Sequence, residues 1–182
     1  MTTPQRSTDS RDAQHFLQNP SRLRNREDVL ITSETQTHDD ADYCVAELAG
    51  QIVVAVENDD GELLLLGNDE FGIVVLPHGN VEEGDDWAAT AREEIEALTG
   101  ISISLDDVEI LRQIEHVADG EPHGTTFRVV FTGRPVGGTI QECKQSADAG
   151  NDNWWAFWAS DLPADLDVPG GGPGDDLRHF LA

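Results

Sequence analysis

The stretch that most constrains the fold is Leu76–Ile101, "LPHGNVEEGDDWAATAREEIEALTGI", a glycine-bounded loop running into one short helix. Asp85 or Asp86 can cap the helix N-terminus, alanines fill its middle, and Gly100 sits where a left-handed terminator belongs. The signals predict a helix from about Asp86 to Leu98. Trp87, Ala91, Ile95 and Leu98 recur four, four and three residues apart, forming one apolar stripe for a sheet to cover. Arg92, Glu93, Glu94 and Glu96 lie off that stripe. Before the helix, "PHGNVEEG" reads as a tight loop in which Gly79 and Gly84 allow conformations closed to other residues.

Strand signals surround this helix. "DVLITSETQT" alternates, and "QIVVAVEN" and "GELLLLG" flank the turn "DDG", which reads as a hairpin with Gly61 at positive φ. "FGIVVLP" is a short buried strand ending at Pro77. "VEILRQIEHV" and "TTFRVVFTGRP" read as two further strands, with "GGTI" as a short third. The aromatic run "WWAFWASDLP" suits a half-buried strand. A glycine run in "VPGGGPGDDLRHFLA" precedes a terminal helix capped near Asp175. Strands, one central helix, more strands and a last helix indicate an α+β layered domain with a mixed sheet.

Charge divides the chain. Residues 1–28 carry five arginines against four acids, whereas the remainder carries 6 basic and 32 acidic residues. The first 28 residues are therefore expected to form an arm, 29–165 the main domain, and 166–182 a glycine-rich linker with a short helix. The formal net charge of −25 opposes nucleic-acid binding through a basic surface. Ten of the 11 basic residues are arginine, and 38% of residues are hydrophobic, too many for an acidic disordered chain. This acid-coated pattern resembles proteins of salt-accumulating, haloarchaeal-like organisms, whose concentrated salt screens like charges over about 3 Å at 1 M. Cys44 and Cys143 lack metal-ligand or disulfide spacing. No apolar leader or run of about 18 apolar residues is present, so a soluble, cytoplasmic protein with no membrane partner is expected.

The central stretch resembles the box of the Nudix hydrolase family: G, five residues, E, seven residues, then R-E-U-x-E-E-x-G-U, with U a bulky aliphatic. The likeness extends to "DDGELLLL" before the box, "LPHG" where the family commonly has L-P-G-G, and "WASDLP" near the domain's end. It implies a Nudix-like α/β/α sandwich with a mixed sheet. It also implies a hydrolase acting on a nucleoside diphosphate linked to another group, with Mg²⁺ or Mn²⁺ on the helix glutamates. A nucleotide-like small molecule is the implied partner, and a homodimer is compatible with it.

Without gaps, Gly79 opens the pattern and Gly100 with Ile101 closes it. Asp85 falls on the first glutamate, Glu94 on the glutamate after the arginine, and Ile95 on the aliphatic position. Glu93 then replaces the arginine, and Ala97 and Leu98 replace the paired glutamates. A second register aligns Arg92 and Glu93 with R-E and Glu96 with the first paired glutamate, but it puts Glu94 in the buried aliphatic position. The gapless register keeps the apolar stripe intact and is preferred.

On this reading Glu94 and Glu93 are the catalytic candidates, and Glu94, Glu93 and Glu96 the metal candidates. Gly79, Glu82 and Asp85 shape the substrate loop, and Asp148 or Asp152 could complete the metal set. Asp85 and Glu93 would repel by up to roughly 4 kcal/mol if held 4 Å apart at an effective dielectric near 20. His78, His116 and His123 are weaker candidates for proton transfer, and Trp154, Trp155 and Trp158 for base stacking; structural roles compete for each. The competing function is a Nudix-fold regulatory module that has lost the chemistry and keeps the cleft for a nucleotide or a protein partner. A weaker third reading is a salt-adapted structural protein.

Overall fold

Strand β2 shows how the layers are built, because alternate residues of this one strand serve two separate cores. The computed structural model describes residues 19–39, 48–140 and 154–181. Its strands are β1 (Leu30–His38), β2 (Leu48–Val56), β3 (Leu63–Asn68), β4 (Ile73–Val75), β5 (His78–Glu82), β6 (Ile101–Ala118), β7 (Glu121–Gly138) and β8 (Trp154–Ala159). The helices are α1 (Trp87–Thr99) and α2 (Gly172–Leu181), with a 3-10 turn at Pro20–Asn25. On β2, Ile52, Val54 and Val56 join the core that buries Trp87, Ala91 and Ile95 of α1. Val53 and Ala55 join the core that holds Leu177 of α2. The period of two along a strand thus places α1 and α2 on opposite faces.

The larger sheet is mixed, in the order β1-β6-β7-β2-β5, and a second sheet runs β4-β3-β8. β1 and β2 run parallel to β6 and β7 respectively, while β6–β7 and β2–β5 are antiparallel. The expected α+β sandwich with a mixed sheet is the fold observed.

Several local expectations differ from the structure. The turn at Gly61 forms, with Gly61 at φ 78° and its N–H donating to Asn58 O at 3.1 Å. The flanking strands then separate into different sheets after a single bridge, Glu57 to Leu63. "HGNVE" is strand β5 rather than loop, drawn into the sheet by pairing with β2. Gly137 and Gly138 of "GGTI" finish β7 instead of opening another strand. α2 starts at Gly172, three residues before Asp175. Asp119 and Gly120, both at positive φ, make the tight turn joining β6 and β7.

The segment assigned to the arm is docked where it is described: Leu23 is buried in the first core, and Arg26 pairs with Asp28 and Asp107. Residues 1–18, Cys44, Cys143, Asp148 and Asp152 lie outside the described residues. Among the described residues, no helix is long and apolar enough to cross a membrane.

Candidate functional site

Helix α1 is set by its two ends. Asp86 Oδ1 accepts hydrogen bonds from the N–H groups of Ala88 (2.9 Å) and Ala89 (3.1 Å). Gly100 takes the left-handed conformation at φ 78°, and its N–H donates to Glu96 O. Between them Trp87, Ala88, Ala91, Ile95 and Thr99 are buried, and Leu98 is partly buried against the same core.

That burial fits the gapless register, with Ile95 0% exposed in the aliphatic position and Glu94 only half-buried. Glu94 lies against β5, so that a Cβ added to Gly79 would come within 2.8 Å of Glu94 Cγ. Gly79 is the residue whose missing side chain lets the helix carboxylate reach the strand.

The other acids do not join it. Glu82, Asp85, Glu93 and Glu96 are exposed, as is Ala97. With Asp85 and Glu93 both in solvent, their repulsion is screened. Successive helix residues turn by about 100°, so Glu93 and Glu96 face water while Glu94 faces the strand. Among the described residues no three His, Cys, Asp or Glu side chains come together in a way that could hold a metal ion. The expected convergence of Glu93, Glu94 and Glu96 into one ligand set is not found.

His78 starts β5, its Nδ1 3.0 Å from Leu76 O and its ring edge-on to Trp154. Burial holds its pKa below the usual histidine value, the Leu76 carbonyl opposes that, and the Arg128 charge adds to it. His116 is also lowered, by burial and then by His38; its Nδ1 meets His38 Nε2 at 2.9 Å, and its Nε2 meets Thr126 Oγ1 at 2.8 Å. His123 is exposed. Trp154 and Trp158 pack on the first core and Trp155 on the second, all partly buried.

The α2 face of the sheet holds a constellation that the sequence reading did not single out. One polar residue from each strand lies in a single register row: Thr32, Arg112, Arg128, Gln51 and Asn80. Arg112 Nε donates to Thr32 Oγ1 at 3.3 Å, Arg128 Nη2 to Gln51 Oε1 at 2.8 Å, and Gln51 Nε2 to Asn80 Oδ1 at 3.2 Å.

The one link missing from this chain is between the two arginines, which sit opposite each other as like charges. Asp176 of α2 fills it, with Oδ1 2.8 Å from Arg112 Nη1 and Oδ2 3.9 Å from Arg128 Nη1. Asp176 is 0% exposed. Burial pushes its pKa up to about 6 against the pull of Arg112 and Arg128, with Glu34 adding to the rise. Burial and the neighbouring Arg112 charge lower the Arg128 pKa, and Asp176 opposes them. The available signal was strand alternation, which puts Arg112 in phase with the apolar Ile110 and Ile114 and Arg128 in phase with Val130.

Comparison with known proteins agrees with this architecture. No curated protein matches the chain. Among solved structures it is similar to a Nudix hydrolase from Nitrosomonas europaea at 14% identity and TM-score 0.52, covering 74% of this chain and 70% of that one. It is also similar to a UDP-X diphosphatase at 15% identity and TM-score 0.50, covering 75% of this chain and 62% of that one. An ADP-ribose pyrophosphatase from Streptococcus suis 89-1591 has 17% identity and TM-score 0.48, covering 72% and 87%. The NUDIX domain model matches residues 48–172, which run from β2 through the box and both sheets to the first residue of α2. With that match over more than half its length, the chain belongs to the NUDIX domain family.

Proposed function

We propose that this protein binds a nucleotide-like small molecule, a nucleoside diphosphate linked to another group, and retains little of the hydrolysis associated with its family. The fate of two positions on α1 carries this reading. Nudix proteins generally use divalent metals such as Mg²⁺ or Mn²⁺, hard ions that require several oxygen ligands. Here the two box glutamates are replaced by Ala97, a bare methyl group, and by Leu98, which packs on the core. Glu94 alone remains at the junction of strand and helix. The described residues therefore do not fit a helix-borne metal site. The fold and the arginine-bearing row beneath α2 support binding.

One observation favours the second reading, a divalent-metal hydrolase: Glu94 is still held against Gly79. On that reading Glu93 or Glu96 would join Glu94 around Mg²⁺ or Mn²⁺, and Glu82 and Asp85 would shape the loop. The acidic composition supports a salt-adapted, cytoplasmic setting for either.

The experiment incubates the protein in concentrated KCl with Mg²⁺ or Mn²⁺ and a panel of nucleoside diphosphate derivatives, measuring binding and turnover for wild type and Glu94→Gln. Binding without turnover is the expected result. Turnover that disappears in Glu94→Gln establishes the second reading and overturns the first.

A further inference from the structure

Two guanidinium groups facing each other in a protein interior need an anion between them. Arg112 and Arg128 are 7% and 6% exposed, and they are direct partners across β6 and β7. Glu34 Oε2 reaches Arg112 Nε at 3.7 Å from the sheet edge, and Asp176, the one carboxylate set between the two arginines, answers them incompletely. It forms an ion pair with Arg112 at 2.8 Å but stands 3.9 Å from Arg128, and Arg128 Nη1 and both Asp176 carboxylate oxygens are buried without a hydrogen-bond partner. A carboxylate offers two oxygens; a phosphoryl group offers three and a second negative charge, which suits a pair of arginine forks.

The element that delivers Asp176 is anchored in the second core by Leu177 and joined to the domain through glycines. α2 opens inside the run "PGGGPG", whose last three residues, Gly172, Pro173 and Gly174, form its first turn. Gly171 lies at φ 85°, and Gly170 and Gly171 have open space where a side chain would be. Gly172 is packed so tightly that a Cβ would overlap Arg128 Nη1, and its carbonyl accepts from Arg112 Nη1 at 3.0 Å. The first turn of α2 thus fills the space over both guanidinium groups, while the glycines before it supply a hinge.

We propose that the Arg112–Arg128 pair is a binding site for a phosphoryl anion, and that α2 is an autoinhibitory strap whose Asp176 carboxylate occupies the site until the anion displaces it. The inference deepens the ligand-binding reading, since a diphosphate would supply the anion. Inorganic pyrophosphate tests it without a nucleoside, so a negative result here leaves the nucleotide panel to be judged separately.

The test titrates pyrophosphate calorimetrically at fixed KCl and with EDTA, into wild type, Asp176→Asn and Asp176→Asn/Arg128→Gln, with folding checked by thermal melting. Asp176→Asn keeps the side-chain shape and removes the competing charge, so it is expected to bind at least about tenfold more tightly, equivalent to about 1.4 kcal/mol. Adding Arg128→Gln is expected to abolish the gain. Equal affinity in wild type and a folded Asp176→Asn overturns the proposal, as does a lack of pyrophosphate binding in both. Independently of any variant, saturating pyrophosphate is expected to speed amide hydrogen exchange in residues 172–181 of wild type. Bound pyrophosphate with unchanged exchange there contradicts the strap.

Discussion

Asp176 Oδ1 lies 2.8 Å from Arg112 Nη1, and the carboxylate is completely buried. A group whose pKa is about 6 in the fold against 3.8 outside it binds its proton more readily when folded. Its contribution to folding is therefore most favourable below the unfolded value and declines as pH rises through 4 to 6, by up to about 3 kcal/mol. Asp176→Asn does not titrate. The stability of wild type minus that of the variant, from denaturant unfolding at constant KCl, is expected to fall over this window and level off above pH 7. A difference that grows with pH contradicts the assignment.

Gly79 is required by the helix it faces. Gly79→Ala places a methyl group within 2.8 Å of Glu94 Cγ, and overpacking of this kind costs about 1–3 kcal/mol. Glu94→Ala removes the Cγ, so the two substitutions together are expected to cost less than their sum. A double-mutant cycle by thermal unfolding measures the coupling. Strict additivity would show that Glu94 does not rest on Gly79.

Charge repulsion is the main cost of a −25 surface in dilute buffer. Raising KCl from about 0.1 M to 1 M shortens the screening length from about 10 Å to 3 Å, and the melting temperature is expected to climb steeply over that range. A melting temperature indifferent to KCl would remove the salt-adapted reading.

The sequence made α1 legible because all its determinants are local: cap, stripe and terminator lie within fifteen residues of one another. β5 was misread as loop because its strand character comes from β2, which supplies the hydrogen bonds from a distant part of the chain. The Gly61 turn was read correctly, yet nothing local says that β2 and β3 join different sheets. The box could be laid on the sequence in two registers, since spacing alone fits both, and only the gapless one gives up both paired carboxylates. The arginine pair could not, because Arg112, Arg128 and Asp176 come together only through strand register and the docking of α2. Arg112 and Arg128 in phase with the apolar residues of their strands were its visible trace.

On the proposed reading the chemistry was lost at positions 97 and 98. Ala97→Glu is exposed and is expected to cost little; Leu98→Glu gives up a partly buried packing contact, at about 1–2 kcal/mol. The decisive measurement is hydrolysis of a nucleoside diphosphate derivative with Mn²⁺ in concentrated KCl, comparing wild type, Glu94→Gln and Ala97→Glu/Leu98→Glu. Wild type is expected to show no turnover above Glu94→Gln, with turnover and Mn²⁺ binding gained by the double variant. Wild-type turnover that Glu94→Gln abolishes would contradict that reading.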